Sequence, residues 1–161
     1  MKKVRIVLWI AVLLLVQVCL IQYITVKHIG PELLFVFSVC YALHEKDEKL
    51  RFAVPAVCGA AVDFMSGQIF GINMLIYTFV AAGGVWIADV FYRTGTIFQF
   101  PLIFVLSAAA GSAYFILNAG IFARLGYGSM LWQIIFPTAC YNTAAALLIL
   151  PLVRKTWKQR R

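Results

Sequence analysis

Charge is what this sequence has least of. Only 12% of its 161 residues are Asp, Glu, Lys or Arg, whereas 63% are hydrophobic; a soluble domain carries roughly 25% charged residues. That shortage excludes a water-soluble fold and indicates an all-α integral membrane protein, organised as one domain over residues 1–161. Connections between the apolar runs are short, so no soluble catalytic domain has room to form. GxSxG, HExxH and GxxxxGK[ST] patterns are missing. The two histidines, His28 and His44, border different helices on opposite sides. Cys19, Cys40, Cys58 and Cys140 all fall within apolar runs and lack CxxC spacing, so they read as small buried hydrophobes rather than metal ligands or disulfides. The expected protein therefore has no metal, no cofactor and no enzymatic activity.

Hydrophobic length is abundant. A spanning helix needs about 20 apolar residues to cross roughly 30 Å of hydrocarbon. Residues 4–26, 72–92, 96–118 and 129–153 meet this requirement, and two shorter segments, 32–43 and 52–70, look like a hairpin around the charged turn "HEKDEKLR". The first run is too long for a signal-peptide core and no A-x-A-like site follows it, so it is expected to be retained. Gly30 ends the first helix, Pro31 fits a first helical turn, and Glu32 is placed to meet the positive end of the second helix.

Six spans with both termini cytoplasmic sort the positive charge cleanly. Twelve basic residues then lie inside (Lys2, Lys3, Arg5, Lys46, Lys49, Arg51, Arg93, Arg154, Lys155, Lys158, Arg160 and Arg161), against two, Lys27 and Arg124, outside. Topology thus accounts for the net charge of +8, leaving no surplus for a nucleic-acid surface. The tail "RKTWKQRR" also suits anionic lipid. Asp89 has Arg93 four residues later as a helical partner.

Asp63 has no such partner in sequence. A charge deep in hydrocarbon costs about 2.5–3.5 kcal/mol on insertion scales, so it must face protein, water or the interface. Gly59, Asp63, Gly67 and Gly71 recur every four residues. In a continuing helix they would form one face of little bulk, with Ser66 beside them, suited to close helix contact through which a bulky side chain would disrupt packing. The alternative ends the helix at Ser66 and Gly67, turns through "QIFG" and starts the next span at Asn73. Ser107, Gly111 and Asn118 share a face of the fifth span, Thr138, Asn142 and Ala145 mark the sixth, and Pro137 is expected to bend the latter. These polar residues are expected to hydrogen-bond within or between helices.

The stretch "GPELLFVFSVCYAL", a short charged turn and then "GAAVDFMSGQIFGINML" resemble the bacterial rod shape-determining protein MreD family. Pro31, Glu32, Asp63, Ser66, Gly67 and Gly71 carry the match, which covers about residues 30–75; the remainder agrees in hydropathy. The resemblance implies a non-enzymatic scaffold of the cell-elongation machinery in the bacterial inner membrane. Such a scaffold binds the bitopic protein MreC and helps couple MreB filaments to RodA and a class B penicillin-binding transpeptidase. It also implies a helical arrangement similar to the substrate-binding subunits of energy-coupling-factor vitamin transporters, which supply the alternative function. For that alternative, Asp63, Asn73, Asn118 and Gln133 are the pocket candidates. For the scaffold, the packing or partner-interface candidates are Pro31, Glu32, Gly59, Asp63, Ser66, Gly67, Gly71 and Asn73, with the bilayer as surroundings and self-association allowed.

Overall fold

A computed structural model describes residues 2–19, 30–67, 69–91, 98–118 and 127–157, and among these the chain is helical with no strand. The helices are α1 (Lys2–Cys19), α2 (Leu33–His44), α3 (Glu48–Ser66), α4 (Ile72–Phe91), α5 (Gln99–Leu117) and α6 (Phe136–Trp157). A turn at Tyr127–Met130 and a π-helical stretch at Leu131–Ile135 lead into α6. Pro137 follows one residue beyond it, after Phe136. It has no N–H to offer the carbonyl four residues back, and a widened π turn is one way a helix accommodates that loss.

Among the described residues three segments are long and apolar enough to cross a membrane, namely Ile72–Val90, Gln99–Leu117 and Leu131–Lys155; Val4–Cys19 and Leu33–His44 are shorter apolar helices. At 1.5 Å per residue the 12 residues of α2 extend roughly 18 Å, well short of the hydrocarbon thickness. Burial explains how so short a helix is kept. Every residue from Leu34 to Leu43 is buried, and α1, α3, α4 and α6 all pack on α2. A helix that is apolar on all sides belongs at a bundle's centre.

The outward faces are also apolar: Phe64 is 84% exposed, and Phe79, Trp86 and Leu148 more than 70%. Apolar exposure on this scale marks contact with lipid or with other proteins. Cys19 and Cys140 lie on this outside, while Cys40 and Cys58 are buried. The expectation of four buried cysteines is corrected accordingly; in such a chain an apolar residue is equally at home on the outer surface.

The helix boundaries correct one further expectation and decide between the two readings left open around Asp63. Residues 44–51 are not a free turn, since His44 closes α2, Glu45 is buried and Glu48 already begins α3. Asp47 caps α3 by accepting from the Lys49 N–H at 3.1 Å. At its other end α3 stops at Ser66 with Gly67 as its left-handed cap, and the next helix begins at Ile72, so the glycine-lined face does not continue as one helix.

Candidate functional site: helix ends capped by neighbouring helices

Helices that begin inside an apolar environment expose N–H groups with no intrahelical acceptor. The bundle supplies those acceptors from other helices. Asp63, on the last turn of α3 and only 2% exposed, turns its carboxylate onto the start of α4. Oδ2 accepts from the backbone N–H of Gly71 at 2.9 Å and of Met74 at 3.1 Å; Oδ1 accepts from the Asn73 backbone N–H at 3.0 Å and from its amide Nδ2 at 2.9 Å. Four donors surround one anion at a helix N-terminus, where the helix dipole also favours negative charge.

The intervening turn makes this geometry possible. Gly67 caps α3 at φ 63° and Gly71 enters α4 at φ 105°, conformations that L side chains rarely adopt. Nothing lies within 4 Å of the position a Cβ would take at either residue. Bulk is therefore not what excludes larger residues there, contrary to the close-contact expectation; the backbone conformation is. Gly59 does make the close approach. A Cβ on it would lie 2.5 Å from both Asn73 O and Met74 Cα, so α3 and α4 meet backbone to backbone one turn below the Asp63 cap. Ser66 returns its hydroxyl to the Asp63 carbonyl at 3.2 Å.

The start of α2 is treated in the same way. Its Leu34 N–H donates to Gln17 Oε1 of α1 at 3.1 Å, and the Glu32 N–H donates to Asn142 Oδ1 of α6 at 2.8 Å. Asn142 in turn donates through Nδ2 to Ser107 Oγ of α5 at 3.3 Å, so one buried amide ties α2, α5 and α6 together. Glu32 does not cap its own helix, as the sequence suggested; its carboxylate lies 3.4 Å from the Tyr77 hydroxyl on α4. Pro31 precedes it, half-buried.

At the opposite end of α2 the orphan groups are carbonyls, and cationic or neutral donors meet them. Arg51 Nε donates to the Ala42 carbonyl at 3.0 Å, and His44 Nδ1 lies 2.8 Å from the Cys40 carbonyl. Arg154 Nε donates to His44 Nε2 at 3.1 Å, while its Nη2 donates to Gln99 Oε1 at 3.1 Å. An accepting Nε2 requires the neutral imidazole with its proton on Nδ1. The His44 pKa lies below its ordinary 6.5, first because burial disfavours the charged ring and also because Arg154 is beside it, against the opposing pull of the Cys40 carbonyl.

Of the predicted site residues, Glu32 and Asn73 line a shared cavity of about 290 Å³ with Ser66, while Gly59, Asp63, Gly67 and Gly71 form the α3–α4 junction. The four pocket candidates of the transporter reading do not converge. Asn73 lines the cavity, Gln133 is exposed, Asn118 donates to the Tyr114 carbonyl at the end of α5, and Asp63 faces α4. Gln17 stands as a lone amide in an apolar run, but nothing in that run names its partner on α2. Asn142 and Ser107 were visible as polar marks on helix faces, though not as partners. Arg93 of the Asp89–Arg93 pair lies outside the described residues, as do His28, Lys27 and Arg124. No group of three or more His, Cys, Asp or Glu suited to a metal occurs among the described residues.

Fold and site together define a helical membrane protein whose interior polar groups mainly close helix ends. The family profile of the rod shape-determining protein MreD matches residues 1–160, and the chain belongs to that family, whose role is in rod-shape determination. Neither curated proteins nor solved structures give a match to the chain.

Proposed function

We propose that this protein is a non-enzymatic scaffold of the cell-elongation machinery in the bacterial inner membrane. It crosses the bilayer six times with both termini in the cytoplasm, binds an MreC-like bitopic protein, and helps couple MreB filaments to RodA and a class B penicillin-binding transpeptidase. The family match over residues 1–160 is the observation that carries this reading. The geometry adds physical support. Asp63, Gln17, Asn142 and Arg51 complete helix ends with their side chains, an arrangement suited to holding a fixed surface. Arg5, Lys46, Lys49, Arg51, Arg154 and Lys155 belong to the same end of the bundle as His44, in keeping with a cytoplasmic face there.

The scaffold is tested by affinity purification from gently solubilised membranes. Stable recovery of an MreC-like partner, with loss of rod shape on depletion, is the expected result. Normal shape on depletion together with no partner would refute it.

A second reading has one observation in its favour. The cavity between α3, α4, α5 and the entry to α6 lies at the small end of the roughly 300–1,000 Å³ typical of ligand sites, as a vitamin-binding transport subunit would require. Loss of vitamin uptake on deletion, with cell shape intact, would favour this reading over the scaffold.

A further inference from the structure

Most polar side chains around the cavity already have partners. Asn142 bridges Glu32 N–H and Ser107, Asn73 turns its amide nitrogen to Asp63, and Ser66 bonds the Asp63 carbonyl. Among the acids and amides there, Glu32 is the exception. Its carboxylate lines the cavity with only the long 3.4 Å contact to Tyr77, and no Lys, Arg or His lines the cavity among the described residues. An acid without a countercharge in an apolar bundle is costly.

The remaining hydrogen-bonding capacity is weighted toward acceptors at the acidic end of the cavity. The Glu32 oxygens and Asn73 Oδ1 are acceptors, and the hydroxyls of Ser107 and Thr138 can accept or donate, so a ligand that brings donors suits this end. Much of the remaining wall is apolar, including Val62, Ile76 and Ala110, with the hydroxyl-bearing Tyr77, Tyr114 and Thr138 among it. Ile134 and Ile135 reach the cavity from the π-helical stretch, a form of backbone often found where a helix is opened for function. The volume equals that of roughly ten waters, enough for a small headgroup or a short organic molecule.

We propose that this cavity binds a primary ammonium group joined to a small, partly apolar body, with Glu32 as its counter-ion and Asn73 and Ser107 as further acceptors. An ammonium offers three donors on a compact charge, which matches this acceptor set. The same chemistry has two sources, a water-borne amine and the headgroup of an amine-bearing lipid. The site does not depend on the scaffold reading, and failure to recover a protein partner would leave it standing.

The test uses the full chain, purified in detergent for soluble probes and in lipid nanodiscs for lipids, with unfolding followed by tryptophan fluorescence. Butylammonium and ethanolamine are titrated against butanol; phosphatidylethanolamine is compared with phosphatidylglycerol. The expected result is a saturable rise in Tm with an ammonium source, absent with its neutral or anionic counterpart and weakened at least tenfold in Glu32→Gln. A response to the free amines identifies a water-borne ligand, and a response to phosphatidylethanolamine alone identifies a lipid headgroup; both support the site. No saturable rise from either source overturns the proposal, as does an equal rise in Glu32→Gln. If Glu32→Gln does not fold, the wild-type comparison decides, and equal responses to butylammonium and butanol overturn the proposal.

Discussion

The two ends of the bundle solve opposite electrostatic problems with different materials. At the Asp63 end, α2 and α4 present N–H groups, and the partners are a carboxylate and two amides. At the His44 end, α2 presents carbonyls, and the partners are a guanidinium and an imidazole, with a second guanidinium behind the imidazole. Each set matches the partial charge of the helix end it faces. The first end is the more rigid construction, since Asp63 binds backbone N–H groups across a tight glycine turn and Gly59 brings the two backbones together below it. The second relies on the long Arg51 and Arg154 side chains, which reorient at lower cost.

If this contrast is right, damage should be greatest at the Asp63 end. Asp63→Ala leaves three backbone donors of α4 without their acceptor, and each orphaned buried donor costs about 1–3 kcal/mol. A large fall in Tm and in folded yield is expected, with Asp63→Asn intermediate because it keeps one acceptor oxygen. A Tm like the wild type in Asp63→Ala would remove the cap from the account. Next comes Gly59→Val, which forces a side chain against the Asn73 and Met74 backbone and should cost about 1–3 kcal/mol through overpacking. Comparing its denaturation midpoint with that of wild type measures the effect, and equality would mean that the helices separate freely.

At the other end Arg154→Met should cost about 1 kcal/mol, the net value of an ordinary hydrogen bond, because the surrounding side chains can rearrange. A loss as large as that of Asp63→Ala would erase the distinction between the ends. The smallest effect is pH dependence. His44 binds its proton less readily when folded, so the unfolded chain takes up more protons below about pH 6.5. Its stabilising contribution is complete above that value and declines as pH falls. Melting curves between pH 7.5 and 5 should show a decline that is shallower in His44→Leu; identical slopes would contradict the assignment.

Much of this architecture was legible from hydropathy. The apolar runs located the helices, and the spacing around Asp63 reduced its neighbourhood to two alternatives, one of which the structure adopts. The glycines misled because spacing of four cannot separate a packing glycine from a turn glycine. Gly59 is the former, while Gly67 and Gly71 have left-handed backbones and open space around them. Partners separated by long stretches were beyond reach. Asn142 meets Glu32 across 110 positions, and Gln17, a lone amide in an apolar run, gives no sign of its partner on α2. Both pairings depend on which helices surround α2, a tertiary fact that no local periodicity carries. Glu32 illustrates the same limit: its position suggested a helix cap, yet α4 draws its carboxylate toward Tyr77 and the cavity.

Asp63 acts by holding the first turn of α4. Amide hydrogen exchange at Gly71, Asn73 and Met74, measured in lipid nanodiscs for wild type and Asp63→Ala, tests it most directly. Protected amides are expected in wild type and markedly faster exchange at these three residues in the variant, with Val36 in α2, whose N–H bonds to the Glu32 carbonyl, unchanged. Equal exchange at all three residues in the two proteins would contradict it.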